Sequence, residues 1–276
     1  MAEPLISVIM AACNARRFLD EAIESIRAQT LTDWELIAVD DGSTDRTFER
    51  LQEWGRKDPR IWIFKTKKNS GPGAARDFAL QHARARYIAF LDSDDMAMPD
   101  RLEKQLAFLR AHPDTVAVGS QAECIDEEGR KTGTKDFPLI PEKLYRLMYR
   151  FMPIQLPGVM IDRAKLPERF DWFEGWPFSE DTLLFFKLVQ YGKLANLPDY
   201  LLKYRQYPGS VSAGIPRETF FRTHEARRRA VREMGYHPQL SDRFIASLQY
   251  AAVKILPPAL IWKIYHPVRK WMMSEI

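Results

Sequence analysis

Residues 86–102 read RYIAFLDSDDMAMPDRL, an apolar run that ends in three aspartates within four positions. The apolar part predicts a strand that is buried on both faces. The aspartates, Asp92, Asp94 and Asp95, lie where that strand ends. Like charges held so close repel one another and raise the pKa of each carboxyl unless a cation neutralises them. The stretch therefore indicates a cation site at the end of a buried strand.

Strands and helices alternate on both sides of this stretch, from residue 5 to residue 120. Short apolar runs predict buried strands, and apolar residues at helical spacing predict helices between them. This alternation indicates an α/β fold of Rossmann type, with a mainly parallel sheet and helices on both faces. Ligands of such sheets bind outside the carboxyl ends of the strands, where the acidic residues of this chain lie. The predicted strands are residues 5–12, 35–41, 61–65, 87–91 and 116–120.

The predicted helices of this half follow those strands, and Ser43 is the expected N-cap of the second helix. After residue 120 the alternation stops, and aromatic residues and prolines become frequent. In that half we predict only a helix over residues 141–151, a strand over residues 158–162 and a helix over residues 180–191. The four helices of the first half are predicted over residues 18–30, 43–54, 73–83 and 99–109.

The composition is that of one large folded domain or one domain with an appendage, with 276 residues of which 46% are hydrophobic and 28% are charged. The two cysteines, Cys13 and Cys124, are too few for a disulfide framework and favour a reducing compartment. The apolar run at the N-terminus is short and follows an acidic residue, Glu3, which is not typical of a secretory signal. We therefore expect a cytoplasmic protein.

The net positive charge of the chain comes from residues 217–276, which hold 11 Lys and Arg but only 5 Asp and Glu. Apolar and aromatic residues alternate with these charges, and Pro257-Pro258 interrupts the most apolar stretch, so a membrane-spanning helix is not expected. The pattern predicts a basic amphipathic helical tail. One interpretation is a segment that lies on the anionic inner face of the cell membrane, and the other is a helical appendage packed on the domain. Neither makes nucleic acid the expected partner.

Five stretches of the chain resemble the successive motifs of the family 2 glycosyltransferases, which have the GT-A fold. The resemblance covers residues 5–215 and implies inverting transfer of a sugar from a nucleotide-diphosphate sugar, for which we expect a UDP-sugar. The acceptor is expected to be a hydroxyl of a saccharide or of a lipid-linked molecule, as in cell-surface polysaccharide or glycolipid synthesis. The stretches are ISVIMAACNARRFLDEAIESIRAQT (6–30), WELIAVDDGSTDRT (34–47), NSGPGAARDFAL (69–80), ARYIAFLDSDDMAMPDRL (85–102) and PFSEDTLLFFKLVQYGK (177–193).

The same resemblance divides the chain into a GT-A domain and a tail. The domain comprises residues 1–216, with a nucleotide-binding half at 1–120 and an acceptor-binding half at 121–216. The tail comprises residues 217–276, which lie outside the resemblance.

The acidic cluster after the fourth strand is, by the resemblance, the site of Mg²⁺ or Mn²⁺ on the donor diphosphate. The resemblance implies that this segment also binds the ribose, and both roles fall on Asp92, Asp94 and Asp95. Which aspartate binds the ion stays open, and Ser93 is expected to contact the nucleotide. Carboxylate oxygens are the ligand type that these ions prefer. The alternative is a helix cap, in which Asp95 or Asp100 stabilises the helix that follows Pro99.

The nucleotide is expected to contact the ends of the first two strands. The resemblance implies that Asp40 and Asp41 hydrogen-bond to it, with Asp41 facing the base, although a DDGS stretch is also a common strand-to-helix turn. The pocket begins at Ala11, Cys13 and Asn14. Ala11 and Cys13 stand where the family often has threonine and tyrosine, so the usual stacking platform for the base is changed.

Two arginines are expected near the phosphates. Arg76 matches a family arginine beside the ribose and diphosphate, the alternative being a surface arginine on a helix. Arg205, in LLKYRQYPGSVSA (201–213), is expected to meet the diphosphate when a loop containing residues 210–212 closes. The alternative for this stretch is a strand followed by a Pro-Gly turn.

The general base implied by the resemblance is Asp181, the second acid of Glu180-Asp181. A carboxylate with a like charge beside it and partial burial suits proton abstraction. The alternative is a helix start, with Ser179 as cap and the two acids favoured by the helix dipole. Aromatic residues just before this pair can either stack on a sugar or belong to the core; they are Trp172, Phe173, Trp176 and Phe178.

Two other functions compete with glycosyl transfer. The stretch IAFLDSDD is also an apolar strand followed by D-x-D, as in haloacid-dehalogenase-type phosphohydrolases, but the lysine and acidic pair of that family are not found in their order. The other alternative is a non-catalytic module that binds nucleotide sugars or membranes. The presence of both Asp94 and Asp181 argues against that module.

Overall fold

A mixed sheet of nine strands forms the centre of the computed structural model, which describes residues 3–173, 180–209, 216–257 and 260. The spatial order of the strands is β3-β2-β1-β4-β8-β6-β9-β5, and β7 pairs with β6. The strands are β1 (Ile6–Ala12), β2 (Trp34–Asp40), β3 (Ile61–Lys65), β4 (Tyr87–Phe90), β5 (Met96–Ala97), β6 (Thr115–Ile125), β7 (Lys131–Lys135), β8 (Met160–Asp162) and β9 (Lys193–Arg205).

Parallel pairing of the first four strands determines where the candidate site lies. β1 pairs with β2 and β4, and β2 pairs with β3, all in parallel. The register places Ala12 beside Asp40, and Asp40 beside Lys65. The carboxyl ends of β1, β2 and β4 therefore open onto one edge of the sheet, as the alternation of strands and helices predicts.

Helices cover both faces of the sheet. Alternate residues of β1 enter opposite cores, since Val8 and Met10 lie in one apolar cluster and Ile9 lies in the other. The first cluster includes residues of α1 and α4, and the second includes residues of α3, α5 and α6. The α/β fold class is thereby confirmed. These helices are α1 (Leu19–Arg27), α2 (Thr47–Lys57), α3 (Pro72–Leu80), α4 (Arg101–Ala111), α5 (Pro141–Leu147) and α6 (Glu180–Leu188).

The second half of the chain adds antiparallel strands to the sheet. β8 lies between β4 and β6 and is antiparallel to both, while β6 and β9 are parallel to each other. The expected strand at 158–162 and the helices at 141–151 and 180–191 are present with shorter bounds. The sequence pattern did not predict the first part of β9, which contains Pro198, because a proline argues against a strand interior. The last five residues of β9, 201–205, match the strand that was the alternative for LLKYRQYPGSVSA. The pairing of β6 with β9 is irregular between Ser120 and Ala122, where the register shifts.

The start of α2 differs from the expectation. Its N-cap is Arg46, with a left-handed φ of 66°, and Asp45 accepts a hydrogen bond from the Thr47 amide at 3.1 Å. Ser43 instead accepts a hydrogen bond from the Asn14 amide at 2.9 Å, so Ser43 joins two loops rather than capping the helix. The chain reverses at Gly42, whose φ is 70° and whose Cβ position would lie 2.6 Å from the Asn69 amide nitrogen. Only glycine permits that approach.

The described part of the tail packs on the domain. It forms α7 (Pro216–Glu233) and α8 (Leu240–Ile255), and α7 packs against α6. A buried ion pair joins Arg150 to Asp242 at 2.6 Å, and the Tyr236 hydroxyl donates to the Tyr145 carbonyl at 2.5 Å. No helix among the described residues is long and apolar enough to cross a membrane. The basic residues Lys263, Arg269 and Lys270 lie outside the described residues.

Candidate active site

Three carboxylates gather in the turn that follows β4. Oxygen atoms of Asp92, Asp94 and Asp95 all lie within 4.8 Å of one another. The turn is closed by a hydrogen bond from the Asp95 amide to the Asp92 carbonyl at 3.2 Å. Asp92 and Asp94 are partly buried, whereas Asp95 and Ser93 are buried. The three aspartates therefore form one cluster, as the sequence predicts.

Asp95 is the most deeply placed of the three. One carboxylate oxygen accepts a hydrogen bond from the Arg205 amide at 2.8 Å, and the other is buried without a hydrogen-bond partner among the described residues. Burial, together with the charges of Asp94 and Asp92, raises the pKa of Asp95 well above its usual range. The helix-cap alternative is not supported, because Asp95 binds a distant strand and Asp100 makes no capping hydrogen bond to α4.

Asp94 faces Tyr207, whose hydroxyl donates a hydrogen bond to its carboxylate at 3.1 Å. Burial first, and then the charge of Asp92, raises the pKa of Asp94 to about 6. Tyr207 was not identified from the sequence, although it lies two residues beyond Arg205. Its ring packs on Phe18 with 5.1 Å between centroids, so the hydroxyl is held over the acidic cluster.

The donor set of this cluster fits a divalent cation. The three carboxylates supply hard oxygen ligands, and one oxygen of Asp95 accepts no hydrogen bond from any described residue that would stabilise its charge. Burial, and then repulsion within the cluster, raises the pKa of Asp94 and Asp95, and a cation close to these groups would favour their charged forms. The acidic cluster is therefore a candidate site for a hard divalent metal ion.

Arg101 places a positive charge behind the cluster and was not identified from the sequence. Its side chain is fully buried at the start of α4 and donates to the carbonyl of Phe90, the last residue of β4, at 2.8 Å. Burial lowers its pKa to about 10, while the charges of Asp95 and Asp92 oppose that shift. Arg101 thus stays cationic at neutral pH.

Arg76 connects the acidic cluster to the second acidic pair. One guanidinium nitrogen donates to Asp92 at 2.7 Å and another donates to Glu180 at 3.1 Å. Arg76 is only 8% exposed, so the surface-arginine alternative is wrong. Burial lowers the pKa of Arg76, but the charges of Asp92 and Glu180 outweigh it and the pKa is raised. This bridge brings residues separated by about a third of the chain into one crevice.

Asp181 differs from Glu180 in its surroundings. Its carboxylate accepts a hydrogen bond from the Thr182 amide at 2.7 Å and has no ion pair among the described residues. Burial, and then the charge of Glu180, raises the pKa of Asp181 to about 6. A carboxylate with that pKa is available to accept a proton near neutral pH. Ser179, the expected cap, lies outside the described residues.

Of the four aromatic residues that precede Glu180 and Asp181, two are described, and these pack on the core. Trp172 and Phe173 both pack on Phe90, with 6.3 and 5.9 Å between ring centroids. Phe173 is fully buried, which identifies it as a core residue. Trp176 and Phe178 lie outside the described residues.

The end of β2 supplies the other wall of the crevice. The Asp41 carboxylate accepts hydrogen bonds from the Thr66 hydroxyl at 2.7 Å, the Ser70 amide at 3.0 Å and the Gly71 amide at 2.8 Å. It therefore fixes the loop between β3 and α3, beyond the role of a simple turn residue. Asp40 is fully buried, and both its carboxylate oxygens lack a hydrogen-bond partner among the described residues; the Lys65 ammonium lies 3.7 Å away.

The end of β1 carries Ala11, Cys13 and Asn14. Asn14 has a left-handed φ of 51° and accepts a hydrogen bond from the Thr44 amide at 2.9 Å, so it ties this loop to the one after β2. Cys13 is exposed, and its sulfur accepts a hydrogen bond from the Asn69 side chain at 3.2 Å. Burial, and then the charges of Asp41 and Asp40, raises the pKa of the Cys13 thiol. Ala11 is partly buried.

Arg205 occupies a structural position that the sequence did not predict. Its guanidinium is buried, pairs with Glu21 at 2.6 Å, and donates to the carbonyls of Asp94 at 2.9 Å, Asp126 at 2.9 Å and Glu127 at 3.0 Å. Because these bonds use all three nitrogens, the arginine is not free to meet a diphosphate in this conformation. Residues 210–212, the expected closing loop, lie outside the described residues.

Replacing Arg205 with methionine is expected to lower the free energy of unfolding by about 3 kcal/mol, because several buried carbonyls lose their donor. Urea denaturation would measure this change. The matched control is Arg130→Met, since Arg130 is 73% exposed in its side chain and its loss is expected to cost less than about 0.5 kcal/mol. Equal effects of the two changes would contradict the structural role of Arg205.

Comparisons with known proteins identify the family that the chain resembles. The family described as glycosyl transferase family 2 matches residues 7–166. An uncharacterized glycosyltransferase of Haemophilus influenzae is 34% identical over 220 residues, which cover 76% of this chain and 68% of that protein. The putative teichuronic acid biosynthesis glycosyltransferase TuaG of Bacillus subtilis is 46% identical over 107 residues, 39% of this chain and 42% of that protein.

Two solved structures show a similar fold at low sequence identity. S. aureus TarS residues 1–349, in complex with UDP-GlcNAc, has a TM-score of 0.64 and 20% identity, over 90% of this chain and 72% of that one. The mannosyltransferase PcManGT of Pyrobaculum calidifontis, in complex with GDP-Man and Mn²⁺, has a TM-score of 0.60 and 17% identity, over 99% and 84%. At these identities the likeness concerns the fold.

Proposed function

The chain belongs to glycosyl transferase family 2 and is a nucleotide-sugar glycosyltransferase, and we propose that it transfers with inversion in the crevice described above, using Asp181 as the general base. The observation that carries this proposal is the Arg76 bridge. It joins Asp92 of the acidic cluster to Glu180, the neighbour of Asp181. A metal site for a diphosphate and a base for an acceptor then share one crevice.

In the proposed reaction, Asp181 takes the proton from the acceptor hydroxyl. The hydroxyl oxygen forms a bond to the anomeric carbon of the sugar as the bond from that carbon to the diphosphate oxygen breaks, and the nucleoside diphosphate leaves with the electron pair. Glu180 is paired with Arg76, whereas Asp181 is not, and this favours Asp181 over its neighbour as the base. Arg76 also keeps Asp92 oriented toward the crevice.

The proposed metal ligands are Asp92, Asp94 and Asp95, and the ion is Mg²⁺ or Mn²⁺. When bound, such an ion neutralises negative charge on the departing diphosphate. These carboxylates would hold the ion, and the positive charges of Arg101 and Arg76 offset part of the negative charge of the cluster. The binding of Mn²⁺ by PcManGT supports a divalent ion here without choosing between the two metals.

For the nucleotide we propose the strand ends at Ala11, Cys13, Asn14, Asp40 and Asp41, with UDP as the first candidate. Asp40 supports this assignment because its buried carboxylate has acceptor capacity that no described hydrogen bond uses. The Cys13 side chain offers no aromatic face, so base stacking must use another group. The binding of UDP-GlcNAc by TarS and GDP-Man by PcManGT makes both nucleotides worth testing.

The acceptor is proposed to be a saccharide or a lipid-linked saccharide, with the enzyme on the cytoplasmic face of the membrane. The name of TuaG, which refers to teichuronic acid biosynthesis, supports a cell-surface polymer. Family membership favours this function over a phosphohydrolase, and the full set of acidic residues favours it over a non-catalytic module.

A donor panel tests the proposal. The full chain is incubated with UDP-, GDP- and dTDP-sugars and Mn²⁺ or Mg²⁺, with and without a chelator, and release of the nucleoside diphosphate is measured. We expect release from one donor class that the chelator abolishes and that an added saccharide acceptor increases. Absence of metal-dependent release from every donor, with every acceptor, would contradict the proposal.

Acid is expected to inactivate the enzyme through Asp181. Because its pKa is raised to about 6, the base is ionised above that pH and protonated below it, so activity falls as pH drops. With donor and metal saturating, kcat/KM for the acceptor should fall about tenfold per pH unit below the pKa. Glu180→Gln should move this limb to lower pH, since the charge of Glu180 raises the pKa of Asp181. A profile that Glu180→Gln leaves unshifted would contradict the assignment.

A further inference from the structure

A groove of about 630 Å³ lies between α7 and α8, away from the acidic crevice. It is rich in cationic side chains, and Glu225 is the one acid among the described residues that line it. We call it the basic groove. Its cationic lining residues are Arg217, Arg228, Arg232 and Lys254, with His224 beside them.

Several donors in the basic groove lack partners of their own. Arg228 and Lys254 are exposed, and neither has an ion pair within the described ranges. Arg217 donates a hydrogen bond from one terminal nitrogen to the Leu256 carbonyl at 2.5 Å. Its Nε is buried without a hydrogen bond to any described residue, and so is Nδ1 of His224. Buried donors without acceptors are costly. An oxyanion in the groove would satisfy them and neutralise the surrounding charge.

The outward side of α8 is apolar. Leu240, Phe244, Leu248 and Ile255 repeat at helical spacing and are 85%, 66%, 55% and 80% exposed. The opposite side of the helix is buried against the domain through Asp242, Ala246 and Val253. The outward side of a surface helix is normally polar. We call these four exposed residues the apolar stripe.

The basic groove and the apolar stripe adjoin each other on α8. Lys254 lines the groove and directly precedes Ile255 of the stripe. An apolar helix face bordered by cations is the pattern of a helix that lies in an anionic membrane surface. A second copy of this chain would instead bring like charge against the groove, which disfavours self-association there.

We propose that the basic groove binds the phosphate of an anionic phospholipid headgroup while the apolar stripe enters the membrane surface. This interaction does not depend on the proposed function. If the proposed function holds, the interaction would also position the active site, because α7 packs against α6, whose first turn carries Asp181. Docking through α7 and α8 would hold the crevice near a lipid-linked acceptor.

The groove is tested by sedimentation of the full chain with vesicles of phosphatidylcholine, with and without phosphatidylglycerol. We expect binding to the anionic vesicles only. Each cation in the headgroup layer strengthens binding about fivefold, so Arg228→Ala with Lys254→Ala should weaken it about thirtyfold. The matched control is Arg56→Ala with Arg110→Ala, which removes the same charge from exposed positions on α2 and α4. Equal losses in both double variants, or no loss in either, would overturn the groove as the site.

The stripe is tested by Phe244→Ser with Leu248→Ser, which should weaken vesicle binding at least about tenfold through lost apolar burial. The control is Leu139→Ser with Ile140→Ser, an apolar pair that is 48% and 59% exposed elsewhere on the chain. Thermal melts establish that each variant is folded, and sedimentation velocity reports self-association. A stripe variant that dissociates an oligomer but binds vesicles normally would assign the stripe to a protein interface and overturn the proposal.

Inorganic phosphate distinguishes a headgroup from a soluble anion. At matched ionic strength, added phosphate should compete only weakly with anionic vesicles. Complete displacement by phosphate would make the groove a site for a soluble phosphate and overturn the lipid assignment. Nucleotide release without vesicles should be unchanged in the Arg228→Ala, Lys254→Ala variant. A wild-type chain that binds vesicles but releases no nucleotide would contradict the proposed glycosyl transfer and would leave the lipid-binding proposal intact.

Discussion

Asp181→Asn is expected to lower the rate of sugar transfer about 1,000-fold, the effect of removing a general base. Asparagine preserves the shape of the side chain and can still accept the hydrogen bond from the Thr182 amide, so the fold should be kept. Donor binding should also be kept, because Asp181 contacts neither Arg76 nor the acidic cluster through a described hydrogen bond. The measurement is kcat for transfer together with the affinity for the nucleoside diphosphate and Mn²⁺.

Glu180→Gln is the matched control for this change, since it removes the neighbouring carboxylate. Its partner is Arg76 at 3.1 Å, so its effect should appear as weaker donor binding with a smaller change in kcat. A reversal of these two patterns would identify Glu180 as the base. Transfer by Asp181→Asn at the wild-type rate would reject Asp181.

The fold was predictable from the sequence because its first half repeats a single rule. Each parallel strand of that half is a short apolar run, and each is followed by an amphipathic helix, so periodicity alone locates them. The second half has no such rule. β9 contains a proline and four charged residues besides its apolar ones, and β5 has only two residues. Pairings set by distant contacts leave little trace in a local pattern.

For the candidate site, residue types were predictable and partners were not. The spacing of Asp92, Asp94 and Asp95 was enough to predict a cluster. The sequence did not show that Arg76 would be buried between Asp92 and Glu180. Nor did it show that all the nitrogens of the Arg205 guanidinium would bind backbone carbonyls and Glu21. Both arginines look alike in sequence, and only packing distinguishes the one that lines the crevice from the one that supports it.

The three aspartates of the acidic cluster also differ in their burial and in their hydrogen-bond partners. Asp95 is buried and accepts a hydrogen bond from the Arg205 amide. We therefore expect Asp95 to stabilise the turn and to supply at most one oxygen ligand to a metal ion. Asp92 is oriented by Arg76, and the one side-chain partner of the Asp94 carboxylate among the described residues is the neutral Tyr207 hydroxyl. Asp94 is therefore the carboxylate whose charge is least compensated by described cations, and the one from which a metal ion gains most.

Asp94→Asn is accordingly expected to lower the affinity for Mn²⁺ in the presence of a nucleoside diphosphate at least about 100-fold, more than the loss of an outer-shell partner typically costs. Sugar transfer should fall with it. Titration of free Mn²⁺ by electron paramagnetic resonance measures the affinity without requiring turnover.

Asp100→Asn removes a nearby exposed carboxylate that pairs with Lys104 and should leave the affinity unchanged. Tyr207→Phe should change it only a few-fold, because one hydrogen bond to Asp94 is lost while its charge stays. Wild-type Mn²⁺ affinity in Asp94→Asn would transfer the ligand role to Asp92.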